Sequence, residues 1–218
     1  MTLVSGTKIK KDTDHLISEL KAKYEVTQDC TGVIYWRIIL KWDYKSIQLE
    51  ISIPDYVKVA LHKFQCSTPT RPQHSPHQWT APQYGSTAPQ MAHPIEESPE
   101  INPYELDTVQ QVVETFLYYA HVVDSAILVA LNTIAAKQSK IIQETDKKVV
   151  HLLDYAATHP EAITRYHASG MTLHMHSNAS FLLAPGSKSR LGGYHYLSEP
   201  LSDPKKPPTT PPNGPIHL

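Results

Sequence analysis

The chain has 218 residues, enough for one ordinary domain or two small ones, and sets 20 Lys+Arg against 21 Asp+Glu for a formal charge of −1. That balance argues against a grip on nucleic acid by bulk electrostatics, which needs a positive surface. Cys30 and Cys66 lie far apart and form no Cys-x-x-Cys pair, which excludes a disulfide scaffold and a zinc module. No signal peptide opens the chain, and its most apolar run, 116–131, is broken by His121 and Asp124; the composition therefore reads as an intracellular protein, cytoplasmic or nuclear, without a membrane segment.

Residues 1–65 read as helix, hairpin, helix. Leu16, Ile17, Leu20 and Tyr24 fall at helical spacing, with Asp12 or Asp14 as the N-cap. The run 33–42 is rich in β-branched and aromatic residues and predicts one continuous strand. Asp43-Tyr44-Lys45-Ser46 turns the chain, and residues 47–53 alternate strictly, placing Ile47, Leu49, Ile51 and Ile53 on one buried face. Pro54 suits the first turn of a helix carrying Val57, Leu61 and Phe64.

Prolines divide the rest. Of 18, eight fall between Pro69 and Pro103 and seven between Pro200 and Pro215. Proline lacks an amide donor and fixes φ, so 66–102 reads as a long extended connection and 199–218 as a disordered tail. Between them, 103–160 predicts three helices. The first carries Val109, Val112, Val113, Phe116, Leu117 and Ala120, with two competing capping-box spacings, Asn102…Glu105 and Asp107…Gln110. Asp124 caps a second helix with Ile127, Leu131, Ile134 and Ala135. A third, from about Thr145, carries Val149, Leu152, Leu153 and Ala156 and stops before His159-Pro160. Residues 161–198 alternate again through Thr172, His174 and His176, and a turn at Gly192-Gly193 leads into Tyr194–Leu197. The class is α+β: a helix–hairpin–helix unit, a proline-rich connection, a three-helix block and an incomplete antiparallel pair of strands.

Thirteen histidines raise a metal hypothesis. His174-x-His176 places two imidazoles on one strand face, which is sound ligand geometry, yet no carboxylate or thiol stands nearby in sequence. His74-x-x-His77 lies in proline-rich coil. Both pairs read first as ordinary polar surface. Nucleotide-loop, nucleophile-elbow and His-Glu-x-x-His signatures are absent. Tyr118-Tyr119 and Trp42-Asp43-Tyr44 offer stacking surfaces for bases, although aromatics at such spacing are more often core.

The run Ile39-Leu40-Lys41-Trp42-Asp43-Tyr44, followed by Ser52-Ile53-Pro54-Asp55-Tyr56-Val57 and Leu61-His62-Lys63-Phe64, resembles the end of a reverse transcriptase palm entering its thumb. Phe116–Ala120, Val122-Val123-Asp124, Leu128–Leu131 and Leu152–Pro160 resemble the connecting region that follows. Leu173–Ser180 and Ser189-Arg190-Leu191-Gly192-Gly193 resemble the opening strands of a ribonuclease H domain. In order, over 13–198, the series is similar to the Pol polyprotein of copia-type retrotransposons, and Asn213–Leu218 continues it.

On that resemblance, 1–65 corresponds to the end of the palm and the thumb, 103–160 to the connection and 161–198 to a partial ribonuclease H unit. The family's polymerase aspartates sit on a Tyr-x-Asp-Asp hairpin expected before Asp12. Asn178 takes the position of the first ribonuclease H carboxylate, where an amide is a poorer partner for Mg²⁺. The family's glycine before Lys41-Trp42 is replaced by Arg37, whose guanidinium a buried strand accommodates poorly. The resemblance implies a truncated, degenerate and inactive chain with no catalytic, cofactor-binding or metal residues and no cofactor of its own, the parent family using Mg²⁺. An RNA–DNA hybrid or the rest of a Pol protein are its implied partners. The alternatives are a non-catalytic binding module for nucleic acid or protein, and a nuclease drawing ligands from the histidines, Glu161, Glu199 and Asp203.

Overall fold

A computed structural model describes residues 10–26, 32–78, 99, 102–137, 142–184, 188–200 and 213–216. The expected connection at 79–98 lies outside these, as does the tail at 201–212. The chain divides into two units, Met1–Gly32 and Val33–Leu218.

The first unit holds helix α1, Lys10–Lys21. It starts before the predicted caps, so Asp12 lies in the first turn and Lys21 in the last, each opposing the helix dipole at its end. Tyr24 falls beyond the helix.

The second unit opens with strands β1 (Ile34–Tyr35), β2 (Ile38–Asp43) and β3 (Gln48–Ser52). The continuous strand expected over 33–42 is broken at Trp36-Arg37, whose φ values of 49° and 67° make a two-residue left-handed hairpin turn. Arg37 is therefore exposed in a turn, and the objection to a buried guanidinium falls away; a glycine suits that position because of its φ. Asp43 folds the next turn, its Oδ1 accepting the amides of Lys45 at 2.9 Å and Ser46 at 3.2 Å. That turn takes Ile47 to φ 51°, so Ile47 is exposed and leaves the apolar face on which alternation placed it.

Helix α2 (Tyr56–Lys63) starts two residues after Pro54, because Asp55 adopts the left-handed conformation at its N-cap. Helix α3 (Pro103–Val122) uses the first of the two capping boxes. Asn102 Oδ1 accepts the Glu105 amide at 2.9 Å and Glu105 Oε2 accepts the Asn102 amide at 3.1 Å. Asp107 instead accepts from Gln111 Nε2 at 2.7 Å. Asp124 caps a 3-10 turn, Ser125–Ile127, that feeds helix α4 (Leu128–Ala135), and helix α5 spans Gln143–Thr158. The apolar stripes of α2 to α5 face one another. Val112, Phe116, Leu131 and Leu152 are fully buried in a core that Ile53 closes from the end of β3, with Ile38 and Ile51 packed against it.

Strand β4 (Thr164–His167) returns to the first sheet and pairs antiparallel with β3, giving the order β1-β2-β3-β4. The end of α3 sets its position, since Thr164 Oγ1 donates to the Val123 carbonyl at 2.9 Å and the Ala162 amide donates to Tyr119 Oη at 3.0 Å. Strands β5 (Thr172–Ala184) and β6 (Lys188–Ser198) form a separate two-stranded antiparallel sheet. Gly192 and Gly193 pair with Asn178 and Ser177 inside this hairpin, so the glycines are mid-strand and the reversal comes after Ala184. A side chain at Gly193 would displace the His195 ring, since an added Cβ would stand 2.9 Å from it. The molecule is thus α+β, with helices packed on one antiparallel sheet and a second antiparallel pair beyond it.

Residues 213–216, which proline content assigns to the tail, are held between β4 and β6. Buried Asn213 accepts the His167 amide at 2.6 Å and donates through Nδ2 to the carbonyls of His167 at 3.1 Å and Leu197 at 2.6 Å. The Gly214 amide donates to the Arg165 carbonyl and the Ile216 amide to the His195 carbonyl, both at 2.8 Å. Only glycine fits at 214, where an added Cβ would lie 2.7 Å from the Tyr166 ring. Four residues clip the two sheets together.

Candidate functional site

Asn178 sits exposed on β5 opposite Gly192, on the face that alternation gives to His174 and His176. Those two imidazoles flank the buried ring of Tyr196, with centroids 5.2 Å and 5.6 Å away and planes within 17° of parallel. His174 Nε2 lies 2.9 Å from the Glu199 carbonyl, which makes it the donor, and His176 Nε2 lies 3.1 Å from Tyr196 Oη. Both outer nitrogens are thus spent on protein partners, and the sandwich is built from ring stacking.

The further ligand candidates do not gather round Asn178. Glu161 pairs with Lys58 at 3.4 Å, the Glu199 carboxylate packs beside Gly170, and Asp203 lies outside the described residues. Among the described residues no group of three or more His, Cys, Asp or Glu side chains could hold a metal ion. Nor is any described helix long and apolar enough to cross a membrane.

His74 meets His159, at the end of α5, instead of His77; its Nδ1 is 3.2 Å from His159 Nε2. His159 also packs on Tyr155, their centroids 4.9 Å apart. Nearby, burial raises the Asp124 carboxyl above the usual carboxylate range, against the Ala126 amide and His159, which lower it. Burial likewise pushes the Tyr119 hydroxyl up to about 12, partly offset by the Ala162 amide. Sequence spacing shows Asp124 as a cap and Tyr119 as half of an aromatic pair, and carries no signal that both meet the chain after α5.

The aromatic runs separate. Tyr119 is core, stacked on Tyr56 at 5.4 Å, whereas Trp42 and Tyr44 are exposed and stack on each other at 6.2 Å within 13° of parallel. Tyr35 and Trp36 form a second stacked pair at 5.8 Å, with Trp36 66% exposed. Lys41, Glu50 and Arg165 make a row across β2, β3 and β4, at 3.2 Å and 2.8 Å. Arg165 first, then Lys41, holds the Glu50 carboxyl below its ordinary range, and the Ser46 hydroxyl does the same for Asp43. The first sheet therefore presents two solvent-exposed aromatic stacks beside a row of paired charges. Comparisons with protein families, curated proteins and solved structures find no match to this chain.

Proposed function

We propose that the chain is a non-catalytic remnant of a copia-type retrotransposon Pol protein, drawn from the end of the reverse transcriptase, the connection and the opening ribonuclease H strands. The observation that carries this reading is the ordered series of family-like motifs over 13–198. No Asp-Asp pair occurs anywhere in the 218 residues, and the position of the first nuclease carboxylate holds Asn178. Two-metal nucleotidyl transfer and hydrolysis both need several carboxylates to hold cations about 4 Å apart. The purified chain is expected to extend no primer on an RNA template and to cleave no RNA–DNA hybrid in Mg²⁺ or Mn²⁺, and Asn178→Asp is expected to restore nothing. Template-dependent extension, or metal-dependent cleavage by Asn178→Asp, would overturn the reading.

A second reading, a binding module for single-stranded nucleic acid, is favoured by the exposed Trp42–Tyr44 and Tyr35–Trp36 stacks. Each base stacked on an aromatic shelf contributes about 1–3 kcal/mol. Trp42→Ala and Tyr44→Ala should therefore weaken retention of a uridine oligonucleotide by about tenfold or more. Unchanged retention in both variants removes this reading.

A further inference from the structure

The first residues of the proline-rich connection do not leave the helical block freely. The Gln73 amide donates to Thr158 Oγ1 at 3.0 Å, His74 meets His159 at 3.2 Å, and His151 Nε2 donates to the Ser75 carbonyl at 3.0 Å. The segment thus runs along α5 from its C-terminal end toward its N-terminal half, antiparallel to the helix. Beyond these three pins, Pro76, His77 and Gln78 form one wall of a cavity of about 320 Å³, whose other walls include Ala130, Ile134 and Lys147.

The central pin is an imidazole pair, and its chemistry limits it to one shared proton. When both rings are neutral, or one is charged, one ring donates N–H and the other offers a lone pair. When both are protonated the acceptor is gone, and two positive charges face each other across the same gap. Asp124, after α3, lies within electrostatic reach of His159, while Tyr155 on α5 packs against the same ring. Glu161 is engaged by Lys58, His151 holds Ser75, and Arg71 and His77 belong to the segment itself.

We propose that residues 73–77 form a proton-released strap: protonation of both His74 and His159 detaches it from α5 and opens the cavity that Pro76–Gln78 wall. The sign follows from the pair, since the strap is held at neutral pH and lost as the pH falls. The test is hydrogen exchange of the Gln73 amide in the full chain, expressed as a protection factor at about pH 7.5 and about pH 5. Protection should fall about tenfold or more on acidification, with Val112 and Phe116 in α3 still protected at both values. His74→Asn and His159→Asn, which cannot charge, should show no such pH-dependent fall. A variant whose Gln73 is already unprotected at neutral pH also supports the pin, provided α3 stays protected. Equal Gln73 protection in the wild type at both pH values, or an acid-induced fall that survives in both variants, overturns the proposal.

Discussion

Removing the side chain of Asn213 should undo the junction between the two sheets. This side chain makes three hydrogen bonds to backbone, with the His167 amide and with the carbonyls of His167 and Leu197, from a buried position. At about 1 kcal/mol net for each bond, Asn213→Ala should cost about 3 kcal/mol, since all three backbone groups lose this partner away from water. Asn213→Asp is the sharper probe. It keeps an acceptor for the His167 amide but turns an anionic oxygen toward two carbonyl oxygens. Folding should therefore raise the pKa of the introduced carboxyl, so that stability is retained below its unfolded value of about 3.9 and lost as the pH rises through the folded value. Urea unfolding followed by circular dichroism gives the global cost, and exchange of the Gly214 and Ile216 amides reports the clip itself. If Asn213→Ala costs less than about 0.5 kcal/mol and leaves both amides protected, the junction does not depend on this residue.

Tyr119 should make the fold sensitive to alkali. With its hydroxyl pushed up to about 12 in the folded chain and near 10 when unfolded, stability is retained below about pH 10 and falls by about 2 kcal/mol by pH 12, a limb that Tyr119→Phe should flatten in urea titrations. At Ile47, an exposed β-branched residue at φ 51°, Ile47→Gly should relieve about 1 kcal/mol of backbone strain and raise the thermal midpoint, and an unchanged or lower midpoint counts against the strain.

Periodicity reveals most of what burial alone decides. The stripe from Val109 to Ala120 is buried apart from the half-buried Leu117, and Asn102 and Glu105 close the box that their spacing announces. What spacing cannot reveal is pairing between distant segments. Residues 164–167 fall in the block that the sequence groups with the later strands, and they join the first sheet because α3 delivers them to the edge of β3. Asn213-Gly214-Pro215 carries the composition of a loose tail, and its buried bonds come from partners many residues away. The Trp36-Arg37 turn is hidden for another reason, since neither residue has the small or amide side chain that normally marks a left-handed turn. Around Asn178, alternation correctly puts His174 and His176 on one face, but the Tyr196 ring between them depends on the register of β6.

Pairing of β3 with β4 joins Glu50 to Arg165, 115 residues further along the chain. During synthesis at about 5–20 residues per second, the edge of β3 waits on the order of ten seconds for its neighbour to emerge. An unpaired edge with Leu49 and Ile51 beside it invites the wrong strand, from this chain or from one on an adjacent ribosome. Until Arg165 arrives, Glu50 stands in the middle of that edge with Lys41 of β2 as its partner on one side only, and a charge placed there disfavours any newcomer that lacks a matching cation. The residue that ends as the centre of a three-strand charge row therefore begins as the sentry of a half-made sheet.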